Sequence, residues 1–215
     1  SFECSDESLN RLYKAGIRTV ELNSWDAFLD CPTREQRAWV GDAVVHQMVH
    51  LVTNSDWRLA WHYLTLGNSP RSDGILPMSV AGDVENGRGF TIPDWSIHWI
   101  HGVYNLYRFT GERSKVKEFM PTIERILRWY LPYQTSNGLL QDLPEWNLID
   151  WSSLFSGEQS ALVNASWARG LLEFSEMAHW LGENASQSWA EEIYAKVKAG
   201  FEIFWDEGRG VYVDH

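Results

Sequence analysis

Three carboxylates and two guanidinium groups fall within thirteen residues, Asp30-Cys31-Pro32-Thr33-Arg34-Glu35-Gln36-Arg37-Ala38-Trp39-Val40-Gly41-Asp42, and Pro32 and Gly41 interrupt the run. A solvated helix face would repeat its charges every three or four residues and would avoid proline and glycine. A surface loop with ordinary ion pairs is one reading. The other is acid–base chemistry. Apolar and cationic neighbours together can keep one carboxyl protonated while the next stays ionised. Two carboxyl groups a sugar's width apart can hydrolyse a glycoside. One protonates the leaving oxygen, and the other acts as nucleophile or as base for a water. Glu35, Asp30, Asp42 and Asp150 are the candidates.

Thirteen tryptophans in 215 residues point the same way. A pyranose offers apolar C–H faces that stack on aromatic rings, so this composition favours carbohydrate. At least half of these tryptophans are expected in the core, where indoles bury large areas. The net charge of −11 argues against nucleic acid and against an anionic membrane surface. Apolar stretches are too short to span a bilayer. No signal peptide is visible, which tilts the expectation toward the cytoplasm. Cys4 and Cys31 form no metal-type pair, and a disulfide between them is not indicated. The chain starts at Ser1 rather than Met, so the expectation is a piece of something longer.

Helices must carry these groups. Apolar periodicity and punctuation predict seven, at Ser5–Leu22 with Ser5 as N-cap, Asp42–Val52, Ser55–Thr65, Asp94–Phe109, Glu112–Tyr130, Ser160–Leu181 and Ala185–Trp205. Very short turns join the fourth to the fifth and the sixth to the seventh, so both pairs read as antiparallel hairpins. Only Gly210–Val213 has any strand character. The expected class is all-α, with helical hairpins side by side. A faint recurrence of Asp56-Trp57…Trp61 and Asp94-Trp95…Trp99 suggests a repeated unit. The connections at 67–93 and 135–159 are long, and long loops in compact domains usually serve function. They hold Asp73, Asp83, Glu85, Asp142, Glu145, Trp146, Asp150 and Trp151. Loops at one end of a ring of hairpins would converge on one mouth.

The first motif, from Asp30-Cys31-Pro32 through Arg34-Glu35, Arg37, Trp39 and Gly41-Asp42-Ala43, resembles the signature of bacterial α-L-rhamnosidases, family 78 of the glycoside hydrolases. Ile92-Pro93-Asp94-Trp95-Ser96…Trp99 and Pro144-Glu145-Trp146-Asn147…Asp150-Trp151 match in order. The resemblance implies that residues 1–215 are a single domain, a fragment of an (α/α)6 toroid. It implies inverting hydrolysis of terminal α-L-rhamnosides, a role in carbohydrate metabolism, no cofactor and no catalytic metal. Glu35 would be the general acid. Asp30 and Asp42 would bind sugar hydroxyls, Arg34 and Trp39 would line the subsite, and Asp150 would join them. Trp95 or Trp99, with Trp151, would form an aromatic wall. Two departures stand out. The general base of the family is a second Glu in later helices, beyond the seven read here. The common form of the first motif reads Arg-Asp-Glu-Arg, whereas Gln36 stands here in the second carboxylate position. A cut ring would also expose apolar flanks, so a homodimer is expected. In that pairing a second copy would lend the missing carboxylate. The rival is a catalytically silent half barrel that binds sugar or serves assembly.

Other motifs carry less. His46 and His50 have the spacing of a helical zinc site, but Gln47 stands where a metalloprotease carries its base, and no third ligand is signalled. Asp94, His98, His101 and Asn105 form a polar stripe suited to a wet cavity or to solvent. Gly87-Arg88-Gly89 is too short for a phosphate site.

Overall fold

The computed structural model describes residues 1–80, 91–149, 151 and 159–214. Asp83, Glu85, Gly87-Arg88-Gly89 and Asp150 lie outside the described residues. Seven α-helices run through the rest: α1 (Glu7–Asn23), α2 (Val40–Thr53), α3 (Arg58–Gly67), α4 (Pro93–Thr110), α5 (Arg113–Trp129), α6 (Ala161–Leu181) and α7 (Asn184–Gly200). Helices α2, α4 and α6 pack side by side in an inner row, and α1, α3, α5 and α7 flank them outside. This is the hairpin arrangement expected of part of an (α/α)6 toroid. The turns leaving each inner helix are short. The connections entering each inner helix are long, so all three long loops lie at the same end. No described helix is long and apolar enough to cross a membrane.

The local signals explain most boundaries. Pro93 occupies the first turn of α4, and Gly111 ends it in the left-handed region at φ 65°. Ser160 caps α6 by accepting from the Val163 N–H, and Gly182 ends it at φ 80°. Helix α5 buries Val116, Phe119, Met120, Ile123, Ile126 and Leu127, one stripe at three- and four-residue spacing. Several expected ends move, the start of α3 from Ser55 to Arg58 among them. Asp6 rather than Ser5 caps α1, because its carboxylate reaches the Ser8 N–H at 2.8 Å. Helix α7 ends at Gly200 rather than Trp205. A Cβ there would lie 2.2 Å from the Asn137 carbonyl, so only glycine allows this approach. The chain then tightens through 201–204 into a two-stranded hairpin, β1 (Trp205–Asp206) with β2 (Val211–Tyr212).

The suspected Asp-Trp repeat is not the structural unit, since Trp57 precedes an outer helix and Trp95 opens an inner one. The recurring contact is different. The Tyr63 hydroxyl on α3 donates to the Val40 carbonyl at 2.8 Å, and the Tyr130 hydroxyl after α5 donates to the Pro93 carbonyl at 2.6 Å. In each case a buried tyrosine, within or just after the outer helix, pins the first residue of its inner partner. Trp61, Trp99, Trp129 and Trp167 are buried in the main core, and Trp57, Trp95, Trp180 and Trp189 pack against it. More than half of the thirteen tryptophans therefore serve packing.

Candidate active site

The first motif folds as a loop closed at its own ends. The Asp30 N–H donates to the Arg37 carbonyl at 2.9 Å, and the Arg37 N–H returns to Asp30 Oδ1 at 2.9 Å. Inside it the Glu35 N–H donates to Cys31 Sγ at 3.2 Å, and both cysteines are free thiols. Gln36 takes a left-handed backbone at φ 54° and donates its amide to the Pro32 carbonyl at 2.7 Å. A carboxylate at position 36 could not make that donation, so the amide belongs to this loop's own closure.

Glu35 projects from the loop with 34% of its side chain accessible. The Trp39 indole N–H donates to Oε2 at 2.6 Å, and Arg34 pairs with Oε1. Trp39 then forms the N-cap of α2, and its ring meets Trp95 edge to face at 5.6 Å. Gly41 makes this possible. A Cβ there would stand 2.4 Å from the Trp95 ring, so the indole lies directly on the helix backbone. Asp42 follows in the first turn of α2 and Asp94 in the first turn of α4. Burial, and then the Asp42 charge, raise the Tyr63 hydroxyl pKa; burial and Asp94 do the same at Tyr130.

The long loops join at the same place. Val40 donates to the Met78 carbonyl at 3.0 Å, and Val80 donates to Ala38 at 3.1 Å. Met78, Ile92 and Leu148 form a small apolar cluster, and Trp39 and Trp95 pack against it. The third loop thereby reaches the first. It carries Trp146 and Trp151, whose rings meet at 5.3 Å. Trp151 is 78% exposed.

Of the expected site residues, Glu35, Arg34, Trp39 and Trp95 come together directly. Asp30 closes the loop beneath Glu35, and Asp42 begins the adjoining helix. Trp151 lies on the same loop as Leu148 and meets the Trp146 ring. Trp99 does not take part. It is fully buried, donates its indole N–H to the Leu64 carbonyl at 3.2 Å and stacks edge-on against Phe119 at 5.6 Å. Four residues on, α4 has already carried its side chains into the core.

Sequence reading passed over three groups. Arg71 and Thr91 both hold Glu145, and no spacing signal marks either. On spacing alone His46 reads only as a metal ligand with His50. His50 instead shares a hydrogen bond with the Asp56 carbonyl at 2.8 Å. His46 bonds to the Asp30 backbone from below. Burial lowers its pKa, and the Asp30 contacts offset this only in part. The folded chain therefore binds fewer protons than the unfolded chain just below pH 6.5. This stability contribution is present above pH 6.5 and is lost as pH falls through the folded value. A proton NMR titration should place the His46 midpoint below 6.5, and a midpoint at or above 6.5 would refute this.

The model of the bacterial α-L-rhamnosidase six-hairpin glycosidase domain matches residues 1–215. An α-L-rhamnosidase of Formosa agariphila is 26% identical over 157 residues, which cover 68% of this chain and 16% of that protein. The structure of a family 78 rhamnosidase from Bacillus sp. GL1 superposes with a TM-score of 0.85 at 24% identity, covering all of this chain and 22% of that one. A Klebsiella oxytoca rhamnosidase with rhamnose bound superposes at 0.87 and 22% identity, covering 99% and 42%. The chain thus spans less than half the length of each of these relatives.

Proposed function

Because this chain belongs to the bacterial α-L-rhamnosidase six-hairpin glycosidase domain family, we propose that it carries the acid side of a site that hydrolyses terminal α-L-rhamnosides. In this reading residues 1–215 are one part of a six-hairpin barrel within a longer protein. Glu35 gives its proton to the glycosidic oxygen as the bond to the anomeric carbon breaks. Water adds from the opposite face and gives its proton to a base, which inverts the configuration. The base is a second glutamate elsewhere in the full-length protein. Only water is consumed, so the step needs no cofactor. Asp30, Asp42 and Asp150 accept hydroxyl hydrogens, Arg34 donates, and Trp39, Trp95 and Trp151 supply aromatic faces. The observation that carries this reading is the accessible Glu35 carboxylate, held at both oxygens by Arg34 and Trp39 beside the Trp39–Trp95 wall.

The same two donors favour a second reading. A carboxylate that accepts from two groups can go on to accept sugar hydroxyls without ever giving a proton. The chain would then be a sugar-binding half barrel without chemistry of its own. Both readings require a sugar site. L-Rhamnose should change the intrinsic tryptophan emission, and L-mannose, with one more hydroxyl at C6, should bind less tightly. Trp151→Ala should reduce the response. An unchanged response would remove Trp151 from the site, and no response in the unaltered chain would sink the reading of a half barrel that binds sugar by itself.

We also propose that the chain, expressed alone, pairs as a homodimer. Leu9, Leu12 and Leu22 on α1 and Ile203, Trp205, Val211 and Tyr212 near the other end are exposed apolar groups. Soluble monomers seldom leave such surfaces uncovered. Light scattering at micromolar concentration should give about twice the 24.9 kDa chain mass. A stable monomer overturns the pairing.

A further inference from the structure

In its described residues the third long loop is built under backbone strain. Asp142, Glu145, Ile149 and Trp151 have φ of 52°, 76°, 38° and 61°, in the left-handed region that residues with side chains avoid. Such a conformation persists only where its surroundings over-determine it. The surroundings here are specific. Glu145 Oε1 pairs with Arg71 Nη1 at 2.9 Å, and Oε2 accepts from the Thr91 N–H at 2.8 Å. The Trp146 N–H donates to the Thr91 carbonyl at 3.1 Å. Arg71 is itself fixed, through Nη2 to Asp73 Oδ2 at 2.7 Å, and Asp73 accepts from the Trp129 indole at 3.2 Å. Only 11% of the Glu145 side chain and 24% of the Arg71 side chain are accessible, so the pair is sheltered rather than solvated. A sheltered pair of this kind resists breaking, because either partner left alone would be a buried charge.

We propose that the Arg71–Glu145 pair is a positioning clamp between the second and third long loops, which sets where the Trp146–Trp151 arm stands relative to Glu35, Trp39 and Trp95. The part of this proposal that concerns sugar rests on the function proposed above. Glu145 and Arg71 act through the arm and are positioning residues, not catalytic ones. Trp146 follows Glu145 directly, and Leu148 anchors the arm again in the cluster with Met78 and Ile92. Release of the first anchor leaves the second as a pivot. The indoles would then move while the helices stay in place.

The test uses the whole chain labelled with 5-fluorotryptophan and read by fluorine NMR, with Trp146 and Trp151 assigned from their phenylalanine variants. Glu145→Ala should displace both resonances and leave those of Trp99 and Trp167 unmoved. L-Rhamnose affinity should fall about tenfold, which corresponds to about 1.4 kcal/mol. Glu145→Gln keeps an acceptor for the Thr91 N–H but offers no charge to Arg71, so it should restore the resonances in part. If Glu145→Ala loses its folded spectrum, Glu145→Gln and Arg71→Ala carry the same comparison. Unmoved Trp146 and Trp151 resonances in a folded variant, even with a lower Tm, would overturn the clamp. If the unaltered chain shows no response to L-rhamnose, the sugar site fails, and the ligand-free spectra still decide the clamp.

Discussion

A Glu35→Gln enzyme, made in the full-length parent, is expected to hydrolyse natural rhamnosides about two to four orders of magnitude more slowly than the unaltered enzyme, the range for loss of a general acid. Glutamine keeps the shape of the side chain and one acceptor, so Arg34 or Trp39 can still hold it. What it lacks is a proton to give. An aryl rhamnoside with a good leaving group departs without much protonation and should be hurt far less. The comparison between the two substrates carries the result. Equal losses on both would mean that Glu35 positions or binds, and that the acid lies elsewhere. A loss confined to natural rhamnosides would separate the acid role from the sugar-binding role, which share the same residue.

Trp99→Ala should destabilise the fold by about 3–5 kcal/mol, the usual range for emptying an aromatic site in a core. Three contacts vanish together. The Leu64 carbonyl loses its indole donor, Phe119 loses its edge-on neighbour, and Gly67 loses the ring that lies on its backbone, where a Cβ would approach to 2.3 Å. Urea unfolding measures the change. L-Rhamnose affinity, corrected for the folded fraction, should be untouched, because the ring is fully buried. A variant with normal stability and lost affinity would return Trp99 to the sugar site.

The contrast between Trp95 and Trp99 shows what the sequence can and cannot reveal. Both stand in one motif, four residues apart on one helix, and composition treats them alike. The difference is depth along α4. Trp95 lies in the first turn, where the loops meet, and Trp99 lies one turn lower. A motif marks the helix start but not the height at which the core begins. Helices were legible because α4 and α6 carry their own punctuation, Pro93 with Gly111 and Ser160 with Gly182. The first candidate loop was legible because its charges are local in sequence. Arg71, Thr91 and Glu145 were not legible as a unit, since the contact closes over more than fifty residues of chain. The His46–His50 spacing, already weak as a metal signal, marks no pair: each ring turns to a different backbone group, Asp30 for His46 and Asp56 for His50.

The parallel inner row has an electrostatic consequence. Helices α2, α4 and α6 all begin at the loop end, so the positive ends of three helix dipoles face the mouth. Each helix start carries about half a positive charge. Asp42 and Asp94 occupy the first turns of two of these helices. A chain with net charge −11 can therefore keep aspartates at its mouth with much of their counter-charge supplied by peptide dipoles. Those dipoles are fixed to the scaffold and have no side chain to reorder if a neutral sugar binds there as proposed. The acceptors a pyranose needs would then be ready before it binds, as a property of helix direction rather than of any one cation.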